Sequence, residues 1–246
     1  MSNIGLVIVT GIRNTVRQKV SLIIMVSVTI ICVAGVALIL CLLTIEPEVE
    51  SAVPDRTVLE GHLSLILYST SLLTIGITLN SFIFQTMVRE KSRGILNALL
   101  ATPLKLRDIW IGKSLALFVL GLVLAVVLTA LTLVIVNVIY FVPEIGFLFT
   151  PAMIVNSLVA VPLIYLSFGL LAHLVGFIIK PATGNIIAQV FLPVMANLGI
   201  QLAVRNMMDA SSWQFMVLNF GIALVIGVII LGIKPKLVPE RVVLSG

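Results

Sequence analysis

The chain has 246 residues, of which 60% are apolar and only 10% charged, whereas roughly a quarter of the residues in soluble proteins are charged. This composition excludes an ordinary soluble domain. The net charge of +5 would suit a nucleic-acid-binding protein, but the basic residues flank long apolar runs and form no single patch. We therefore expect an all-α integral membrane protein, because lipid offers backbone groups no hydrogen-bond partners.

The first 19 residues precede the first long apolar run. Their apolar side chains recur at helical spacing, and the basic residues Arg13, Arg17 and Lys19 lie toward the end of this segment. Such a pattern is typical of an amphipathic helix that lies in the membrane interface. We predict that residues 1–19 form this interfacial helix, the alternative being a cytoplasmic extension of the first span.

Residues 20–246 form one membrane domain in this interpretation. A helix needs roughly 20 residues to cross a hydrocarbon core about 30 Å thick. The apolar runs of this length predict six transmembrane helices, at Val20–Ile45, Leu63–Met87, Ser114–Phe141, Met153–Ile179, Asn185–Val204 and Phe215–Ile233.

The basic residues lie almost entirely on one side of these spans. All but Arg56 and Arg205 of the 15 Lys and Arg residues fall in the N terminus, the second and fourth loops, or the C terminus. Cytoplasmic loops carry the excess of Lys and Arg. We therefore predict that both termini are cytoplasmic.

The inner loop, residues 88–113, has features of its own. Its first part, Val88–Ala101, contains helix-forming residues and is followed by Thr102-Pro103, and proline disfavours helix in the residue before it. Apolar residues would share one face of a short cytoplasmic helix, where they are either tucked under the spans or offered to a partner.

Several kinds of site are excluded by inspection. The chain has no H-E-x-x-H zinc motif and no G-x-S-x-G nucleophile elbow. Gly112-Lys113-Ser114 resembles the end of a phosphate-binding loop, but Arg107 stands where the first glycine should be. We expect no enzyme activity and no cofactor bound by this chain.

Ion-coupled carriers usually place ionisable groups within the membrane. No Asp, Glu, Lys or Arg lies inside the six predicted spans, and His173 in the fourth span is the single ionisable candidate at depth. The alternative for His173 is a neutral histidine that is hydrogen-bonded to a neighbouring helix. Proton or sodium coupling therefore has little support.

The inner loop resembles a motif of the ABC type-2 (ABC-2) transporter permeases, close to R-E-x-x-x-G-T-L-E-x-L-L-x-T-P followed by G-K. The matching residues are Arg89, Glu90, Gly94, Leu96, Leu99, Leu100, Thr102, Pro103, Gly112 and Lys113. Ile95 and Asn97 depart from the motif, since the family often has Thr and Glu there. The six-span layout with both ends inside and an amphipathic N-terminal helix extends the resemblance to nearly the whole chain.

The resemblance implies the permease subunit of an ATP-binding cassette exporter in the cell membrane of a prokaryote. Such a permease pairs with a second copy or a close homologue and with two copies of a separate ATPase, which holds ATP and Mg²⁺ and drives alternating access. The loop helix would be the coupling helix that contacts the ATPase. The coupling residues would be Arg89, Glu90, Arg93, Gly94, Leu96, Leu99, Leu100, Thr102 and Pro103.

Amide side chains at membrane depth are the candidates for the substrate path. In the family the second and fifth spans are commonly taken to line this route, which points to Asn80 on the second span. On the fifth span Gln189, Asn197 and Gln201 form a slowly winding stripe together with Asn185. The alternative is that these amides only bond to adjacent helices.

Two other functions stay open from the sequence. One is an ATP-independent secondary carrier or channel, and the other is a membrane scaffold that transports nothing. No residue identifies a substrate.

Overall fold

The computed structural model describes residues 3–50, 55–92, 98–99, 101–179, 181–204 and 209–238. Nearly all of these residues are helical and none of them is in a strand, which confirms the predicted all-α class. Within this part of the chain we number the long helices α1 (Asn3–Arg17), α2 (Lys19–Val49), α3 (Arg56–Ser92), α4 (Leu106–Phe141), α5 (Pro151–Ile178), α6 (Pro181–Val204) and α7 (Trp213–Ile233).

Five helices are long and apolar enough to cross a membrane, and they coincide with the first four predicted spans and the sixth. They are α2, the Arg56–Ser81 part of α3, α4, α5 and Trp213–Lys236, which continues α7. The fifth predicted span lies on α6, where the apolar stretch Ala182–Met195 is shorter than a membrane crossing. Five membrane-length helices make this a membrane protein, and the six-span layout stays a prediction.

α1 and α2 are separate helices. The backbone leaves the helical region at Gln18, with φ −82° and ψ 60°, between the last residue of α1 and the first of α2. The N-terminal segment is therefore not a straight continuation of the first span.

The turns before α3 and α7 are closed by polar side chains. Asp55 accepts hydrogen bonds from the backbone N–H and the hydroxyl of Thr57, at 2.8 and 2.7 Å. Both hydrogen bonds lower the pKa of the Asp55 carboxyl below its usual value, and the bond from the Thr57 hydroxyl has the larger effect. Ser212 caps α7, because its hydroxyl accepts from the backbone N–H of Phe215 at 3.2 Å. Such caps satisfy donors that have no partner within the helix.

α3 is the central helix of the bundle. It packs against α2, α4, α5 and α6, and most of its span is buried. α2, α4 and α7 lie at the periphery and expose large apolar side chains, such as Ile31, Leu43 and Leu224, which are 71%, 69% and 68% exposed. In water such a surface would be unfavourable, whereas in a bilayer it contacts lipid.

The central position of α3 agrees with its composition. Its span has a mean hydropathy of 1.5, against 2.9 for α2 and 3.0 for α4. The difference comes from hydroxyl side chains buried in the bundle, such as Thr74 and Thr78, whose hydroxyls donate to backbone carbonyls one turn earlier at 2.7 Å. Polar groups within a membrane face the protein interior because hydrocarbon cannot solvate them.

α1 packs on the first turns of α4 and has little contact with α2. The two helices approach closely at glycines on both sides. A Cβ atom built on Gly112 would lie 2.7 Å from the Cβ of Val7, and one built on Gly11 would lie 2.8 Å from the Cβ of Ala116. Gly112 and Ala116 are four residues apart, the spacing of small residues that lets two helices meet closely in membranes.

Candidate functional site

The motif that resembles the ABC-2 family begins on an extension of the central helix. The apolar span of α3 ends at Ser81, but the helix continues to Ser92, a further length of roughly 16 Å at 1.5 Å per residue. The backbone of Arg89 and Glu90 belongs to this extension, and their side chains lie outside the described part of the structure. Residues 88–92 thus continue α3 and do not begin a separate short helix as the sequence suggested.

The rest of the loop is described only in part. Arg93, Gly94, Leu96 and Leu100 lie outside the described residues. Leu99 is helical and half-buried, and its carbonyl accepts from the Thr102 N–H at 3.2 Å and from the Thr102 hydroxyl at 2.6 Å.

Thr102 and Pro103 are exposed and non-helical, as the sequence predicted, and the helix expected before them stays a prediction because residues 93–97 and 100 lie outside the described residues. The end of the loop leads directly into α4. Lys105 is extended and α4 begins at Leu106, which places Gly112 and Lys113 in its second turn, inside the contact between α1 and α4.

The amides of α6 lie on its outward face. Gln189, Asn197 and Gln201 are exposed, and so are Ile186 and Val190 on the same face, at 59% and 57%. In a single chain these amides therefore point away from the bundle.

The opposite face of α6 packs closely on α5. A Cβ atom on Gly184 would lie 2.6 Å from the carbonyl oxygen of Ala172, so only glycine allows this approach. Further along α6, the ring of Phe191 stacks on Phe168, with centroids 3.7 Å apart, and meets Tyr165 edge-on at 5.8 Å. α6 thus packs with one face on α5 and α3, while Gln189 and Asn197 lie exposed on its other face.

Asn80 does not share the outward surface of the α6 amides. It is half-buried on α3, and its side-chain oxygen is buried with no hydrogen-bond partner in the part of the chain that the structure describes. Ser71 on α3 and Tyr165 on α5 have buried hydroxyls in the same state. An unpaired buried oxygen is costly, and the three residues leave polar groups unpaired in the interior of the described bundle.

Hydrogen bonds between helices were missed by the sequence analysis. The Tyr68 hydroxyl on α3 donates to the side-chain oxygen of Asn219 on α7 at 3.0 Å. The Trp110 ring N–H on α4 donates to the carbonyl of Leu170 on α5 at 2.9 Å. For Tyr68 and Asn219 the signal was an isolated polar group within an apolar run, which in a membrane usually finds a partner on another helix, whereas Trp110 lies in the inner loop and gave no such signal.

A second set of bonds ties loops over one end of the bundle. Ser64 and Asn156 both donate to the carbonyl of Ala210, at 2.7 and 2.9 Å, and Asn137 accepts from the Leu148 N–H at 2.6 Å. Asn137 and Asn156 each begin a π-helical turn, a local widening that often re-aims a side chain at a functional site. By the predicted topology this end is the outer one.

His173 is buried on α5, and its Nδ1 lies 3.0 Å from the carbonyl oxygen of Gly169 in the same helix. The bond therefore lies within its own helix, whereas the sequence alternative was a bond to a neighbouring helix. The ring also lies beside Phe177, at 6.5 Å between centroids.

Comparisons with known proteins give no relative. The chain matches no protein-family model, and no curated protein or solved structure is significantly similar to it.

Proposed function

We propose that this chain is the permease subunit of an ATP-driven exporter, with six transmembrane helices and both termini in the cytoplasm. It would work by alternating access as a pair of permeases with two copies of a separate ATPase, which binds ATP and Mg²⁺. The cell membrane of a prokaryote is the location that this proposal implies. The direction of transport rests on the resemblance of the inner loop to ABC-2 permeases.

The observation that carries the proposal is the position of that loop on the fold. The motif starts on the continuous extension of α3, the helix that packs against four others. A partner that moves the loop would therefore move the central helix, and with it the packing of the whole bundle. A cytoplasmic motif at the end of a peripheral helix would lack this mechanical link.

The outward face of α6 supports a second permease copy. Amides that face lipid leave their hydrogen-bonding groups unsatisfied, which is unfavourable in hydrocarbon. A second copy or a close homologue would cover Gln189 and Asn197 and would give them polar or hydrated surroundings. The amides would then line a path between two subunits, whereas one chain alone leaves them outside.

The test is at Leu99, which is half-buried in this chain and followed by the exposed turn at Thr102. Burying such a side chain against a partner is worth roughly 1.5–3 kcal/mol. Leu99→Asp would place a charge in that contact, and we expect binding of the ATPase to fall about 100-fold. The measurement is ATP hydrolysis and nucleotide photolabelling of protein that co-purifies with the tagged chain.

Ala98→Asp is the matched control, because Ala98 is exposed in the same helical turn. It introduces the same carboxylate at the neighbouring position and should keep the ATPase. A Leu99→Asp chain that transports normally in vesicles without nucleotide would instead favour the ATP-independent carrier or channel and would exclude the exporter.

A further inference from the structure

An open groove of about 770 Å³ lies where α1 meets α2 and the end of the α3 span. It forms because the backbone breaks at Gln18 and because α1 packs on α4, leaving the angle between α1 and α2 unfilled. Its walls include Arg17, Lys19, Ser21, Ile24, Val28 and Ser81.

The groove changes from charged to apolar along its length. Arg17 and Lys19 stand exposed at its mouth, and the polar lining also includes Ser21 and, from α3, Ser81. Neither cation makes an ion pair with an acid among the described residues, where the one salt bridge joins Arg56 and Glu60.

Further along α2 the lining is Ile24, Met25 and Val28. From Lys19 to Val28 the helix rises roughly 14 Å, which is close to half of a hydrocarbon core of about 30 Å. The whole groove, from its charged mouth at Lys19 to Val28, therefore has about the depth of one leaflet, and its apolar part from Ile24 to Val28 accounts for roughly 6 Å of that depth.

We propose that this groove binds a phospholipid with a net negative headgroup. The headgroup phosphate would lie between Arg17 and Lys19, and one acyl chain would lie along Ile24 and Val28. A free phosphate would leave the apolar wall uncovered, and a zwitterionic lipid would bring no net charge to the two cations. The site is independent of the exporter proposal, because it needs neither an ATPase nor a substrate.

The test is native mass spectrometry of the purified full chain in detergent, titrated with phosphatidylglycerol or phosphatidylcholine of identical acyl chains. A basic residue close to an anionic lipid contributes roughly a fivefold gain in affinity. We expect phosphatidylglycerol to bind more tightly than phosphatidylcholine, and Arg17→Gln/Lys19→Gln to weaken it about 25-fold. Ile24→Trp should fill the apolar part and weaken both lipids.

The matched control is Lys105→Gln/Arg107→Gln, which removes two exposed cations outside the groove. It should leave the affinity for phosphatidylglycerol unchanged. Equal losses in both double variants, or equal binding of the two lipids, would overturn the proposal. Glycerol 3-phosphate that competes as strongly as the lipid, with no effect of Ile24→Trp, would mean a simple anion site and would also overturn it.

Discussion

Polar residues in the interior of this protein connect helices at individual points. Tyr68 is 2% exposed, and its hydroxyl joins α3 to Asn219 on α7, whose amide in turn donates to the carbonyl of Phe215 at 2.8 Å. The Tyr68 ring also meets Phe215 edge-on, with centroids 4.9 Å apart. Tyr68 therefore carries both a hydrogen bond and an aromatic contact between the same two helices.

We expect Tyr68→Phe to lower the free energy of unfolding by about 0.6 kcal/mol, the average for hydrogen bonds between membrane helices. The ring contact is kept, so the loss reports the hydroxyl. The free energies of unfolding in mixed micelles are measured for Tyr68→Phe, Asn219→Ala and the double variant. The double-mutant cycle then gives the coupling energy between Tyr68 and Asn219. Tyr140→Phe is the control, since no described hydrogen bond involves the Tyr140 hydroxyl. A coupling of zero would show that the bond contributes nothing to stability.

At the scale of elements, α1 is held by one tight contact. Its buried face, at Val7 and Thr15, lies toward α4, while Leu6 and Val9 are 52% and 55% exposed and Arg13 is exposed beside them. One face thus packs on protein, while the other is suited to the membrane interface. The N-terminal helix predicted from the sequence is therefore a packed part of the bundle, and its place in the membrane interface stays a prediction.

Gly112→Ala should loosen this contact, because its new Cβ would lie 2.7 Å from the Val7 Cβ. Overpacking of this kind typically costs about 1–3 kcal/mol. Hydrogen exchange of the backbone amides in Asn3–Arg17 should therefore quicken. Gly227→Ala is the control, because nothing lies within 4 Å of the added Cβ, and alanine favours helix more than glycine does. Unchanged exchange in Gly112→Ala would mean that α1 does not depend on this contact.

For the whole molecule, the main prediction is the topology that follows from the uneven distribution of basic residues, with both termini in the cytoplasm. Single cysteines at Asp55 and Asp209 should react with an impermeant maleimide from outside intact cells, and ones at Ser92 and Ser245 only after lysis. Cys32 and Cys41 are free thiols and are replaced first. Labelling at Ser245 from outside would contradict the even number of crossings and, with it, the six-span proposal.

The sequence by itself determined the positions of five membrane-length apolar helices and the non-helical backbone at Thr102-Pro103. These features depend on local properties, namely the length of an apolar run and the backbone restriction that proline imposes. The composition of α3 also indicates its central position, because a span rich in hydroxyl side chains is unfavourable in contact with lipid. The sequence analysis did not use this signal.

Only the tertiary structure decided which helix faces meet. The docking of α1 on Gly112, the outward direction of Gln189 and Asn197, and the groove beside Arg17 all depend on contacts between segments far apart in the chain. The periodicity of α6 shows that its amides share a side of the helix, but not whether that side meets α5 or the lipid. In a membrane this choice is made by close packing and by hydrogen bonds between helices, because burial of apolar surface does not separate protein from lipid.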